Sequence, residues 1–280
     1  MLSERMTVMT VLRRQTDVLR YVQLFLFVVI MILTQNKQFY ITFTVLLAMI
    51  IFMSIASIQT RVFVWAMIAY SLGYLVLLYG DRLIDKLPLN ISSLMILNRG
   101  LLLIPIFFMA YVIKKFNRNW SHYVKKPNWQ AKISFPFIWK GFHTVSIKLF
   151  LLIAFFINFV VFIPFISISN MNLMDPSFLL FIIFFSIVNG ILEEILWRGI
   201  VLTRFVDLAG EKAAVLFSGI GFGLSHLAFG YSWFVCLGFA IGGIFYAGVT
   251  IRSGSLLPAI IWHFFFNILM ILSGIIPYIG

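Results

Sequence analysis

Nine apolar stretches, separated by short polar runs, organise this chain. They cover roughly 19–34, 40–58, 62–79, 91–113, 145–167, 177–198 and beyond, 213–229, 232–251 and 256–276. Each approaches the ~20 residues needed to cross a bilayer as a helix. A segment in hydrocarbon must satisfy its own backbone, so each predicts an α-helix. The first is short with polar flanks, and the fourth carries Asn98 and Arg99. Eight spans therefore stand as the alternative to nine. The pattern predicts an all-α, polytopic transmembrane bundle of eight or nine helices. One long connection, 114–143, breaks the rhythm with Lys and Arg followed by Pro127, Trp129, Phe135, Pro136 and Trp139. It reads either as an interfacial segment on an anionic leaflet or, preferred, as a solvated basic loop with Trp anchors. Two parts follow: N-terminal helices with a basic loop over 1–126, and a C-terminal bundle over 127–280. The core of the second part, about 177–276, holds every unusual polar cluster.

Composition agrees with a membrane protein. The chain is 62% hydrophobic and 11% charged, with mean hydropathy +1.05, against about 25% charged in soluble domains. The net charge of +12 does not point to nucleic acid, because the basic residues sit between spans as topology signals do. With the N-terminus placed in the cytoplasm, only Lys37, Arg82 and Lys86 of the 21 Lys and Arg fall outside. Arg99 lies within a span, and the remaining 17 fall inside. One cysteine, Cys236, excludes a disulfide framework. The first twenty residues are mixed and polar, unlike a cleavable signal. The Ile-, Phe- and Met-rich composition suits a bacterial plasma membrane. Gly238, Gly242, Gly243 and Gly248 give the eighth span the spacing of close helix packing.

Three polar clusters stand in the last four spans: Glu193-Glu194-Ile195-Leu196-Trp197-Arg198, Phe222 to His226, and His263 to Asn267. Ionisable groups in hydrocarbon cost several kcal/mol unless paired or hydrated, about 2.5 at the low end. Their presence therefore marks a site. Glu194 and Arg198 are four apart and can pair on one helix face. Glu193, rotated about 100° away, has no cation on its own face. Counted from the inner span ends, Glu193, His226 and Asn267 lie at similar depth, roughly 20 Å, with His263 at roughly 14 Å. A desolvated glutamate can act as general base on water, and His and Asn can stabilise an oxyanion. Alternatively, Glu193, His226 and His263 make a three-ligand set for zinc, although no H-E-x-x-H is present. The metal-free route is preferred, because His263 falls a turn away from its co-ligands and Asn267 suits an oxyanion hole. For Glu194 with Arg198, the plain alternative is a structural ion pair; for His263 with Asn267 it is interhelical hydrogen bonding. Phe222 reads as core packing. A proton-coupled transporter is a weaker reading, since no duplicated halves appear.

In this order, E-E-x-x-x-R, F-x-x-x-H and H-x-x-x-N resemble the CPBP family, also called type II CAAX prenyl endopeptidases or Abi proteins. The resemblance covers about residues 177–276. It implies an intramembrane endopeptidase acting on a membrane-presented peptide or protein. Within it, Glu193 would be water-activating base or ligand and His226 its partner. His263 and Asn267 would bind the scissile carbonyl oxygen, and Glu194 and Arg198 would orient the site. The family was named as metalloproteases, and a metal-free glutamate mechanism has also been proposed for it. Some Abi-type members imply the alternative of a non-catalytic regulator or immunity protein that binds a peptide or sensor kinase.

Overall fold

A computed structural model describes residues 2–53, 57–166 and 175–279. Residues 54–56 of the second expected span and 167 of the fifth lie outside these. The helices run α1 (Leu2–Gln35), α2 (Phe39–Met53), α3 (Ile58–Ile84), α4 (Ile91–Gly100) and α5 (Leu103–Lys115). A hairpin follows, β1 (Lys132–Pro136) and β2 (Gly141–Ser146), and then α6 (Ile147–Phe162). The last part holds α7 (Pro176–Glu194), α8 (Leu202–Ala209), α9 (Glu211–Leu224), α10 (Trp233–Ser253) and α11 (Leu257–Leu272). Seven described stretches are long and apolar enough to cross a membrane, and Phe39–Ile51 and Leu257–Leu272 are shorter apolar helices. Each of the nine expected stretches carries a helix, the fourth broken into α4 and α5 by a turn at Leu101–Leu102 and the fifth beginning in β2; the chain is a multi-pass, all-α membrane protein.

Local chemistry sets the ends of these helices. Asp175 caps α7 by accepting from the Ser177 N–H, with Pro176 in the first turn, where its missing N–H costs nothing. Ser146 caps α6 in the same way, accepting from the Leu149 N–H. Beyond Glu194 the helix does not stop. It widens into a π-helical turn over Ile195–Val201 and resumes as α8. Such wide turns are rare and recur at functional sites.

The chain forms two compact units, interleaved along the sequence. One comprises Met1–Ile68 and Val201–Phe245; the other comprises Ala69–Ile200 and Tyr246–Gly280. In the first, α1 packs on α2, α8 and α9. Phe205 is wholly buried there between Phe27 (ring centroids 4.8 Å, edge-on) and Phe63 (5.5 Å). Within the same unit α9 meets α10 across glycines. A Cβ on Gly223 would run into the backbone of Cys236 and Ala240, and one on Gly243 would meet Gly219 at 3.0 Å. The close-packing glycines are therefore Gly219, Gly223 and Gly243, whereas Gly238 and Gly242 face open space. The expected spacing lay on α10, and half of the contact comes from Gly219-x-x-x-Gly223 on α9.

In the second unit α7 packs on α11 and α4, and α6 packs on α11. At Gly190 α7 lies directly against α11, where an added Cβ would make ordinary contacts with Phe264 N at 3.4 Å and Asn267 Nδ2 at 3.8 Å. The long basic connection is not a free loop. Its backbone is pinned by Asn128 N–H to Ser253 O (2.9 Å), Leu256 N–H to Tyr123 O (3.0 Å) and Ser255 Oγ to Lys125 O (2.6 Å).

Candidate active site

The second unit brings two helices' polar groups into one buried cluster. On α7, Glu193 and Glu194 are 6% and 0% exposed, and Arg198 on the following wide turn is 1% exposed. Arg198 Nη1 donates to Glu194 Oε1 at 2.8 Å. From α11, His263 Nδ1 meets the same oxygen at 2.8 Å. That oxygen belongs to a carboxylate already paired with Arg198, so the imidazole donates through Nδ1. Nε2 is then left as the nitrogen that faces Glu193 Oε2, at 3.6 Å.

Aromatic stacking fixes the ring from the side. Tyr246, near the end of α10, lies parallel to His263 (centroids 5.3 Å, 16°). The Arg198 guanidinium stands 5.0 Å from the Tyr246 ring centroid, within the range of cation–π attraction. Glu194 is thus held from two sides and orients two other groups.

Glu193 is held differently. Its Oε1 lies 3.5 Å from Arg99 Nη1 of α4. Its own helix offers it no cation, as the sequence indicates, but a neighbouring helix does. Its Oε2 is buried and accepts no hydrogen bond among the described residues. Four residues earlier, Asn189 Nδ2 donates to Asn267 Oδ1 at 3.4 Å. Asn267 Nδ2 is then a buried donor without a hydrogen-bond acceptor among the described residues. Buried polar atoms left unsatisfied are uncommon in native proteins and call for a functional or solvent explanation.

Counting residues puts His263 a turn shallower than Glu193, and the two side chains meet across that difference, with Nε2 3.6 Å from the Glu193 carboxylate. Three participants were not singled out for the site: Arg99, Asn189 and Tyr246. Asn189 stands one helical turn before Glu193 in an apolar run, which is a legible signal. Arg99 was visible as a charge within a span and lacked only a named partner.

His226 and Phe222 belong to the first unit. There α9 ends at Leu224 and tightens into a 3-10 turn over Ser225–Phe229. His226 Nδ1 lies 2.9 Å from Phe222 O. A carbonyl only accepts, so Nδ1 carries the proton and Nε2 is the nitrogen able to take one. Phe239 stacks on the ring at 4.1 Å. Phe222 is 3% exposed and packs against Gly243, as core residues do.

The second unit offers few donors to a zinc ion. Glu194 Oε1 and His263 Nδ1 are committed to each other. Two atoms then face one another, Glu193 Oε2 and His263 Nε2, where a catalytic zinc takes three protein ligands. Among the described residues no three His, Cys, Asp or Glu side chains are grouped to hold a metal ion. The residues of this unit do not by themselves fit the metal.

Comparison with known proteins locates the same region. Residues 175–269 match the family model described as type II CAAX prenyl endopeptidase Rce1-like. That segment contains all three motifs and supports a CPBP family intramembrane protease. Broadly, it supports CAAX-type endopeptidase activity at a membrane. No curated protein and no solved structure matched the chain.

Proposed function

We propose that this chain is an intramembrane endopeptidase that uses Glu193 as general base on water, without a metal. The observation that supports it is the unequal use of two adjacent carboxylates. Glu194 holds Arg198 and His263 tightly, both at 2.8 Å on Oε1, whereas Glu193 has only looser contacts at 3.5 Å and 3.6 Å, and its unbonded Oε2 faces His263. In this reading Glu193 takes a proton from water as the water oxygen bonds to the scissile carbonyl carbon. The carbonyl π electrons move to oxygen, where the Asn267 amide donates a hydrogen bond. His263, oriented by Glu194, supplies a second polar group at the same place. Collapse of the tetrahedral species breaks the C–N bond, and the proton held by Glu193 passes to the departing amine. Such positioned proton transfer contributes about 10²–10⁴ in rate, and an oxyanion donor about 10²–10³. His226 is assigned a catalytic role on its place in the motif order. The substrate is a peptide or protein presented by the bilayer, in CAAX-type processing or peptide maturation.

The metal-free assignment is tested by chelation. Purified chain, stripped of metal and verified by elemental analysis, is given a peptide with a prenylated cysteine followed by three residues. It should cleave at its untreated rate. Loss of cleavage that returns with about one equivalent of zinc would replace the glutamate-base route by a metal-bound one.

Arg99 extends the site beyond the matched segment. A cation at 3.5 Å holds the Glu193 carboxylate in place. Arg99→Gln should lower kcat by about tenfold or more with folded protein recovered normally, and Arg99→Lys should restore most of it. Equal rates in all three would remove Arg99 from the account.

The orientation rests on charge. With 17 Lys and Arg on one side against three on the other, the N-terminus and the 114–143 connection are cytoplasmic. Cys236 is buried, so Lys125→Cys offers a clean probe. It should react with an impermeant thiol reagent in inverted vesicles and not in intact cells; the reverse pattern inverts the topology.

A further inference from the structure

The hairpin β1–β2 stands at the edge of two spans and does more than connect them. Ser146, its last residue, is also the cap of α6, so the strand runs directly into a span. At the same open end, where Lys132 pairs with Ser146, Arg252 in the last turn of α10 donates through Nε to Lys132 O at 2.7 Å. At the opposite end, in the connection between the strands, Ile138 is driven into α10. A Cβ on Gly248 would lie 2.5 Å from Ile138 Cδ1, and Ile138 is 3% exposed. Ile138 has φ +64°, a conformation that β-branched residues rarely adopt. Strain of this kind persists only where the surroundings impose it. The hairpin is therefore a rigid platform, with Ile133 and Ile138 as its buried side.

The exposed side chains of the hairpin and its flank are apolar and cationic at once. Phe142 is 89% exposed, Phe137 70% and Phe135 49%. Lys132, Lys140 and Lys148 are exposed around them. Between Asp85 and Asp175 the sequence contains no Asp or Glu, so no acidic neighbour in sequence offsets these charges. Water is a poor environment for three phenylalanines on a two-stranded ribbon. A peptide partner would need both acidic and aromatic-binding groups. The headgroup layer at the start of a span supplies anionic phosphate above an acyl boundary, which fits both features.

We propose that the exposed rim of the hairpin, carrying Phe135, Phe137, Phe142, Lys132, Lys140 and Lys148, binds anionic phospholipid, with the lysines on the headgroup phosphates and the rings in the acyl boundary. The proposal is independent of the proteolytic reading. It is tested on the full chain purified from bilayers of equimolar phosphatidylcholine and phosphatidylglycerol, by native mass spectrometry of retained lipid. Wild type should retain phosphatidylglycerol in clear excess. Each lysine near an anionic surface contributes about fivefold. The triple variant Lys132→Gln/Lys140→Gln/Lys148→Gln should therefore lower the excess at least tenfold, and the corresponding Lys→Arg triple should keep it. Neutralising Lys37, Arg82 and Lys86 instead should leave it unchanged, which separates the rim from bulk charge. No preference in wild type, an unchanged preference in the Gln triple, or equal loss from the control triple would each overturn the proposal.

Discussion

Glu193→Gln should abolish cleavage while leaving a folded protein. The substitution keeps the side chain's shape and one carbonyl acceptor towards Arg99 but removes the basic oxygen that faces His263. General-base catalysis alone contributes about 10²–10⁴, and loss of a correctly held water adds to that. Turnover should therefore fall by about three orders of magnitude or more, measured as initial rate per folded protein. The stability effect is modest by comparison. The pair with Arg99 is long, at 3.5 Å, and Arg99 is partly exposed at 16%, so its loss strands little charge. A thermal midpoint within a few degrees of wild type is expected. A collapse in yield would show that Glu193 has a structural role instead.

Glu194→Gln should do the opposite first. Glu194 Oε1 accepts from both Arg198 and His263 at 2.8 Å, and all three side chains are buried. A neutral amide leaves Arg198 as an uncompensated charge inside a membrane helix. Removing one partner of a buried pair costs about 3–5 kcal/mol, or roughly 6–20 °C in midpoint for a chain of this size class. Activity should fall with it, because the His263 ring loses the acceptor that sets its proton on Nδ1. Arg198→Gln, which leaves Glu194 uncompensated, should destabilise to a similar extent. Thermal unfolding in detergent of the three proteins checks both statements. If Glu194→Gln matches wild type in midpoint, the ion pair is not what holds the turn at Ile195–Val201.

Much of this was legible from residue order. The apolar runs alone located the helices, because hydrocarbon leaves a chain few other ways to satisfy its backbone. The four-residue spacing of Glu194 and Arg198 predicted their pairing, and three polar motifs in apolar spans marked the region that later matched a family. What sequence could not carry was anything decided between helices. The Arg99 contact depends on where α4 lies beside α7. Tyr246 matters only because it stacks between Arg198 and His263. The meeting of His263 with Glu193 depends on how α11 lies against α7. The hairpin was hidden for a different reason. Its strands are short, with Pro136 closing the first and exposed aromatics on the second. Neither shows the clean alternation of a half-buried strand. The interleaving of the two units, with 1–68 joined to 201–245, is a property of contacts and has no linear signature.

The central claim is that this cluster hydrolyses a peptide bond. Its most direct test is the mass of the products formed from a prenylated peptide by purified chain, beside the Glu193→Gln protein at equal folded concentration. The account predicts two fragments from wild type whose masses sum to the peptide plus one water, and intact peptide from the variant. Intact peptide from well-folded wild type, together with a cellular phenotype that Glu193→Gln fully supports, would contradict it and make the chain a regulator.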